Sequence, residues 1–486
     1  MSRESRRGLA LLGAAAGLGI AGDLLFVGHD LGVNVLLFAL AFVGSLALIL
    51  RIGPSALHQG RRWMAAPLLL FAAAFAWHAS PLLTATNLLA LAGAISLGAL
   101  RRTQPRPQEA TLGDYAAGLA AAGAGTLAGS VDFLQRDVPW DEATRGVRSE
   151  SAAAIARGAA IGLPLVLVFG GLFAAADAVF RDLLAAALPN VSPWPHLVVP
   201  ILVAWAAAGL LRDLAEDREE RRVVPAQALL AKRPRLRIGG TEALIALAAL
   251  DLLFAAFVAV QARYLFGGGA LVQAREHLTY AQYARHGFFE LVAVSVLVVP
   301  VILVANATVR DRIRAVRVLS GTLIALELVV AASALQRMHA YVDQYGLTEL
   351  RIYTTGVMLW LVAILLWAFV TVLRGRSRRF AVGAVVAGFV ATAALNVANP
   401  DALIAETNFN RAHPDTPYLA HLSDDAVPTL LARLPAIADR AVQRDLAGAL
   451  LARPADGDLV GWNASRSRAR SLIASHRAQL EALARP

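Results

Sequence analysis

The chain contains no cysteine, and a single lysine, Lys232, among its 45 basic side chains. Lacking cysteine, it can form no disulfide, no thiolate metal site and no cysteine nucleophile. The scarcity of lysine beside abundant arginine reads as codon bias in a GC-rich genome, since no single structural role demands arginine everywhere. Charge of either sign is also scarce. Only 16% of the 486 residues are charged, against roughly 25% in soluble domains, while 57% are hydrophobic and the mean hydropathy is +0.57. A water-soluble fold cannot cover that much apolar surface. The net charge of +10 does not point to nucleic acid, because the arginines fall in short clusters between apolar runs. That placement is the orientation signal of a membrane protein, so the expected surroundings are lipid, with no nucleic-acid partner.

The apolar runs predict an all-α, polytopic transmembrane helix bundle of about eleven spans: residues 8–27, 31–50, 63–79, 82–100, 159–180, 194–211, 241–264, 288–307, 318–335, 352–373 and 380–397. The first run follows MSRESRR and reads as an uncleaved signal anchor, because it is too long for a secretory h-region and a second span follows at once. It contains Gly17-Leu18-Gly19-Ile20-Ala21-Gly22, formally GxGxxG. No preceding strand gives that motif a nucleotide-binding context, and the expected role is close helix packing, as for Gly13 and Gly17. Arginines at 51, 61, 62, 101 and 102, with the run 212–237 and the strings VRDRIRAVR and RGRSRR, place the amino terminus and these connections in the cytoplasm. Residues 111–130 are Ala/Gly-rich with basic flanks on both sides, which favours a cytoplasmic or interfacial helix over a span. The chain then divides into 1–100 with the first four spans, a linker 101–157, a core of spans five to eleven in 158–398, and a polar, extracytoplasmic α-helical segment 399–486. In the last segment Ser423-Asp424-Asp425 reads as a helix start, and further helices are expected over about 436–451 and 458–483.

This topology gathers three polar aromatic stretches on the outer side: AREHLTYAQYARHGFFE, HAYVDQYGLTELRIY and AETNFNRAHPDTPYLAHLSDDAVP. From them Tyr280, Tyr283, Arg285, Glu290, Tyr341, Tyr345, Glu349, Arg351, Asn408, Asn410 and Arg411 are candidate ligand-binding residues. Arginine is disfavoured on that side, so its presence there implies pairing or anion binding. The competing reading is an interfacial tyrosine belt with Arg/Glu pairs anchoring helix ends. Eight histidines (29, 78, 196, 277, 286, 339, 413 and 421) also map outward, but none stands in a metal-binding spacing, so no metal and no cofactor is expected. Asp251 and Glu327 lie near the middle of two spans, where a carboxylate costs about 3 kcal/mol and faces the bundle interior. Proton relay and structural hydrogen bonding both fit them.

The strings TYAQYARHGFFEL, YVDQYGLTELRIYT, NFNR and YLAHLSDDAVP resemble those of bacterial integral membrane proteins grouped as domain of unknown function 4173, related to the group numbered 4153. The resemblance covers residues 157–430, while the first four spans carry no signature. It implies a bacterial multi-pass inner-membrane protein with no established activity, so no catalytic residue is carried over. The expected role is sensing or organising, through an outer surface that binds an envelope ligand or protein partner. A proton-coupled transporter using Asp251 and Glu327 is one alternative, and an enzyme acting on a lipid-linked envelope substrate is another. Against the enzyme, the first outer loop is very short between Asp23 and Asp30.

Overall fold

A computed structural model describes residues 3–52, 65–100, 129–140, 152–177, 194–215, 240–267, 288–309, 313–376, 379–411, 415–455 and 457–485, with isolated helical residues at 123, 126, 182 and 183. Among the described residues there is no strand. Eleven apolar helices occupy the positions of the expected spans: α1 (Arg3–Phe26), α2 (Val33–Ile52), α3 (Ala65–Trp77), α4 (Pro81–Leu100), α5 (Ala152–Ala176), α6 (Trp194–Ala215), α7 (Gly240–Gly267), α8 (Phe288–Thr308), α9 (Ile313–Tyr345), α10 (Glu349–Leu373) and α11 (Phe380–Ala398). Eight are long and apolar enough to cross a membrane, while α3, α4 and α8 carry the shorter apolar stretches Ala65–Trp77, Pro81–Ile95 and Leu291–Asn306. The protein is thus an all-α, polytopic membrane bundle with eight full-length spans among the described residues.

Two packed groups make up the bundle. In the first, α1 and α6 lie side by side with α2, and a short π-helical turn, Phe133–Asp137, inserts Phe133 and Leu134 into their shared core. Close approach of α1 to α6 depends on Gly19 and Gly22: a Cβ on the first would meet the Pro200 carbonyl at 2.5 Å, and on the second the Val203 side chain at 3.0 Å. Gly13 and Gly17, expected to serve that purpose, have nothing within 4 Å. Only the end of the expected interfacial helix 111–130 is described. There Ser130 donates to the Trp205 carbonyl at 2.5 Å, and the following Asp137 accepts from Arg212, at the arginine-bearing end of α6.

In the second group α7, α8 and α10 pack around α9, which is buried along its length through Val316, Leu323, Ile324, Val330 and Ala334, and α11 packs on α10. α3 and α4 join the groups by packing on α11. Asn87 and Asn396 exchange side-chain amide hydrogen bonds of 3.0 and 2.8 Å, and Phe71 meets Phe389 with centroids 5.5 Å apart.

α9 differs from the expected span of 318–335. It runs for 33 residues, about 50 Å, because nothing in HAYVDQY breaks a helix until Gly346 adopts a φ of 81°. The polar aromatic stretch is therefore mostly the projecting end of a membrane helix.

The terminal segment folds into α12 (Pro400–Phe409), α13 (Thr416–Ala420), α14 (Val427–Arg433), α15 (Arg440–Leu451), α16 (Ala464–Ser475) and α17 (Arg477–Ala484) around Ile404, Leu419, Leu430, Leu446, Leu450 and Leu480. Asn399, Asp415, Asp439 and Asn463 cap their helices by accepting backbone N–H bonds. The helix expected over 436–451 begins at Arg440 because Asp439 is its cap, and the one expected over 458–483 is divided at His476. This cap covers one end of the bundle, the end shared by the α1–α2, α3–α4 and α9–α10 turns. Arg7, Arg51, Arg212, Arg317, Arg374, Arg376 and Arg379 lie towards the other.

Candidate functional site

Polar side chains converge at two levels, beneath the cap and inside the bundle. The α3–α4 turn carries His78 and Ser80, and the cap lowers Asp425 onto it. Its carboxylate accepts from His78 Nδ1 and from the Ala79 and Ser80 amides, each at 2.9 Å, from Ser423 Oγ at 3.2 Å, and from Ser465 Oγ. The Asp425 and His78 side chains are 0% and 4% exposed. Asn463 strengthens the joint by donating to the Phe75 and His78 carbonyls at 2.7 Å. Burial pushes the Asp425 carboxyl up, but His78 and the hydroxyl and amide donors outweigh it and hold it below its ordinary 3.8.

Beside this clasp Asp401, at the start of α12, is fully buried and accepts from the Ser423 amide at 3.1 Å. Burial raises its pKa, the Ser423 donors oppose the rise, and the Asp425 charge adds to it. Asp401 Oδ1, Ser80 Oγ and Tyr353 OH are all buried and satisfy no hydrogen-bond geometry, although Ser80 lies close enough to both other groups to act on them electrostatically.

A second clasp closes on the α1–α2 turn. Asp458 pairs with His29 at 3.0 Å and accepts from the Asp30 amide at 3.0 Å, while Arg466 binds the Asp30 carboxylate. A third histidine, His196, meets Asp23 at 2.8 Å. Thus both acids of the short first loop are engaged, Asp23 by His196 and Asp30 by Arg466. Among the described residues no three His, Asp or Glu side chains are arranged to hold a metal ion.

The candidate ligand-binding residues divide by location. Tyr280, Tyr283 and Arg285 lie outside the described residues, and Glu290 stands in the first turn of α8. The others meet around the α9–α10 turn. Tyr341 and Tyr345 rings are 5.2 Å apart, with the Arg351 guanidinium 4.1 Å from the Tyr341 centroid. Arg351 donates to the Tyr345 carbonyl at 3.0 Å and to that of Gly346. Arg411 donates to the carbonyls of Val342, Asp343 and Gln344 at 3.2, 2.8 and 2.5 Å, satisfying the free end of α9. Asn408 brackets Leu347, accepting from its N–H and donating to its carbonyl at 2.7 Å each. The Glu349 amide donates to Tyr418 OH at 2.8 Å, and Asn410 is exposed at the end of α12. These side chains are chiefly engaged in locking the cap to α9 and α10.

Inside the bundle a polar column follows the contact between α7, α8 and α9. Near the cap, Gln261 Oε1 accepts from Ser333 at 3.1 Å and from Arg337 at 2.7 Å. Glu327, fully buried, accepts from Ser295 of α8 through Oε1, while Oε2 has no hydrogen-bond partner. Asp251 is buried, and neither of its oxygens has a hydrogen-bond partner among the described residues. Towards the other end Asn306 donates to Ser320 at 2.9 Å.

Ala243, Leu247, Asp251 and Gln261 are buried residues of α7, and their spacing forms a single seam. Gln261 pairs with Ser333 and Arg337, so ten residues back along both helices Asp251 lies level with the turn Leu323–Glu327 of α9. The sequence identified both acids but not their common level.

The chain matches the family described as Domain of unknown function (DUF4153) over residues 65–432. It belongs to that family. The match falls on the 4153 group and not on the 4173 group that the motif strings resemble. The match also begins at α3, so α3 and α4, two of the four spans without a motif string, lie inside the family region. No curated protein and no solved structure matches the chain.

Proposed function

We propose that this DUF4153 protein is a proton-coupled membrane transporter in which Asp251 and Glu327 bind the proton. One observation carries the reading: two carboxylates occupy the same level of a buried seam, and among their oxygens only Glu327 Oε1 is hydrogen-bonded within the described residues. A charge at hydrocarbon depth costs several kcal/mol unless compensated. Arg337 lies ten residues from Glu327, about 15 Å along the helix. The neutral acid is the form such a setting holds, and ionisation requires water or a moving helix to reach it. Proton release is thereby tied to conformation, the property coupling requires.

The test needs no known substrate. Protein reconstituted in liposomes is taken from mildly acidic to mildly alkaline buffer under infrared difference spectroscopy. A protonated-carboxyl band should disappear with rising pH and be diminished in both Asp251→Asn and Glu327→Gln. An identical band in wild type and in the double variant refutes the assignment. We further place the amino terminus in the cytoplasm of a bacterial inner membrane, supported by the arginine distribution. An impermeant maleimide on intact cells should label a cysteine at Thr348 and not one at Ser377; the reverse pattern overturns that orientation.

A second reading, an outer surface that binds an envelope ligand or partner, is favoured by the cap loop in which Leu459 is 87% and Trp462 41% exposed. A cysteine at Leu459 should then label more slowly in cells than in purified protein. Equal rates dismiss it.

A further inference from the structure

The outward faces of α10 and α11 enclose a groove of about 820 Å³, within the roughly 300–1,000 Å³ typical of small-molecule sites. Its walls are apolar throughout except for Thr355 and the indole nitrogens of Trp360 and Trp367. Small residues hollow it out. Gly383 leaves room for the Trp367 indole, whose Nε1 a Cβ there would meet at 2.0 Å, and Ala387 and Ala391 continue the hollow along α11. On α10 the lining extends from Ile352 to Trp367, about 22 Å, which exceeds the ~15 Å half-thickness of a hydrocarbon core.

The groove ends at the α10–α11 turn, where Trp367 Nε1 donates to the Arg379 carbonyl at 3.2 Å. This corner is strongly basic. Arg374, Arg376 and Arg379 are exposed, and the Arg317 guanidinium of α9 rests over Gly375, whose φ of 64° and lack of a Cβ make room for it. None of the four makes an ion pair within the described residues, whereas arginines elsewhere do: Arg212, Arg453 and Arg466 each hold an aspartate. Four uncompensated guanidinium groups beside a chain-length apolar groove match one amphiphile in both charge and shape.

We infer that this corner binds an anionic phospholipid, its phosphate held at the arginine-bearing turn and one acyl chain lying in the groove between α10 and α11. The site is independent of the Asp251–Glu327 column, which lies on the opposite side of α10, against α9.

Full-length protein in mild detergent, titrated with phosphatidylglycerol or phosphatidylcholine and read by native mass spectrometry, tests the inference. Each basic residue near a lipid surface strengthens binding roughly fivefold. The variant Arg374→Gln/Arg376→Gln/Arg379→Gln should therefore hold phosphatidylglycerol on the order of a hundredfold more weakly, with phosphatidylcholine little changed. Ala391→Trp fills the groove without touching an arginine and should weaken retention of both lipids. That second variant keeps the test decisive if the triple variant fails to fold. Equal binding of the two lipids by the wild type overturns the inference, as does inorganic phosphate competing fully with phosphatidylglycerol at equal concentration.

Discussion

Replacing Asp425 with alanine should release the cap from the α3–α4 turn. The substitution removes the acceptor from five donors at once: His78 Nδ1, the Ala79 and Ser80 amides, and the Ser423 and Ser465 hydroxyls. Each buried group left unsatisfied costs about 1–3 kcal/mol, but groups in one network do not add. Breaking a single buried pair, about 3–5 kcal/mol, is the sounder bracket. The absence of cysteine makes the reporter clean. Ser80 is 0% exposed beneath the cap, so a Ser80→Cys thiol reacts only when the joint opens. At tenfold per ~1.4 kcal/mol, Asp425→Ala in that background should accelerate labelling by roughly 10² to a few times 10³. Ala334→Cys, buried in the α9 core, should label at an unchanged rate, separating cap release from global unfolding. Ser80 labelling accelerated less than about threefold, with the Ala334 control unchanged, would refute the view that this carboxylate secures the joint.

Other outcomes follow from the same contacts. The Asp425 carboxyl is held below 3.8, so its stabilisation is complete above that value and is lost as pH falls through the folded-state pKa. Amide exchange at Ala79 and Ser80, corrected for intrinsic rate, should therefore accelerate only in strong acid. Asp401 has the opposite sign, because burial raises its pKa. The cap should therefore gain stability as pH falls through the folded-state pKa of Asp401, measured by thermal unfolding, an effect absent from Asp401→Asn. At the α4–α11 contact, Asn87→Leu and Asn396→Leu should each destabilise the bundle by about 0.6–1.7 kcal/mol. The double variant should cost less than the two singles together, and additivity in thermal unfolding would show that the amide pair is not coupled.

Local pattern made the helices legible, and distance hid their partners. The apolar runs and the Ser423-Asp424-Asp425 helix start act within a few residues, so their consequences could be read directly. Asp425 could not be read in this way. In Ser423-Asp424-Asp425 it resembles an acid placed for a helix dipole, and Ser423 does accept from the Asp425 amide at 3.3 Å. Its carboxylate, however, turns inward to groups about 345 positions earlier in the chain. The outward histidines show the same division. Their side of the membrane was expected from arginine placement, but the aspartates facing His29, His78 and His196 come from remote segments. Nor can glycine frequency tell which faces of α1 are crowded. That depends on where α6 crosses, and it crosses at Gly19 and Gly22.

The helix that carries Glu327 is also tied to the cap. α9 contains no proline along its 33 residues, and its end is held by Arg411 through three carbonyls. α8, which supplies Ser295 to Glu327, instead has Pro300 inside the helix. Proline removes one backbone donor and crowds the carbonyl four residues back, here that of Val296, adjacent to Ser295. The compliant element at the carboxylate is therefore α8, and movement there can separate Ser295 from Glu327 while α9 and the cap stay in place. Pro300→Ala should stiffen α8, reduce the proportion of Glu327 that ionises in the infrared pH titration, and leave Ser80→Cys labelling unchanged. If labelling beneath the cap changed in parallel with the carboxyl band, the two ends of α9 would be moving together, and the hinge would have to lie in α9 itself.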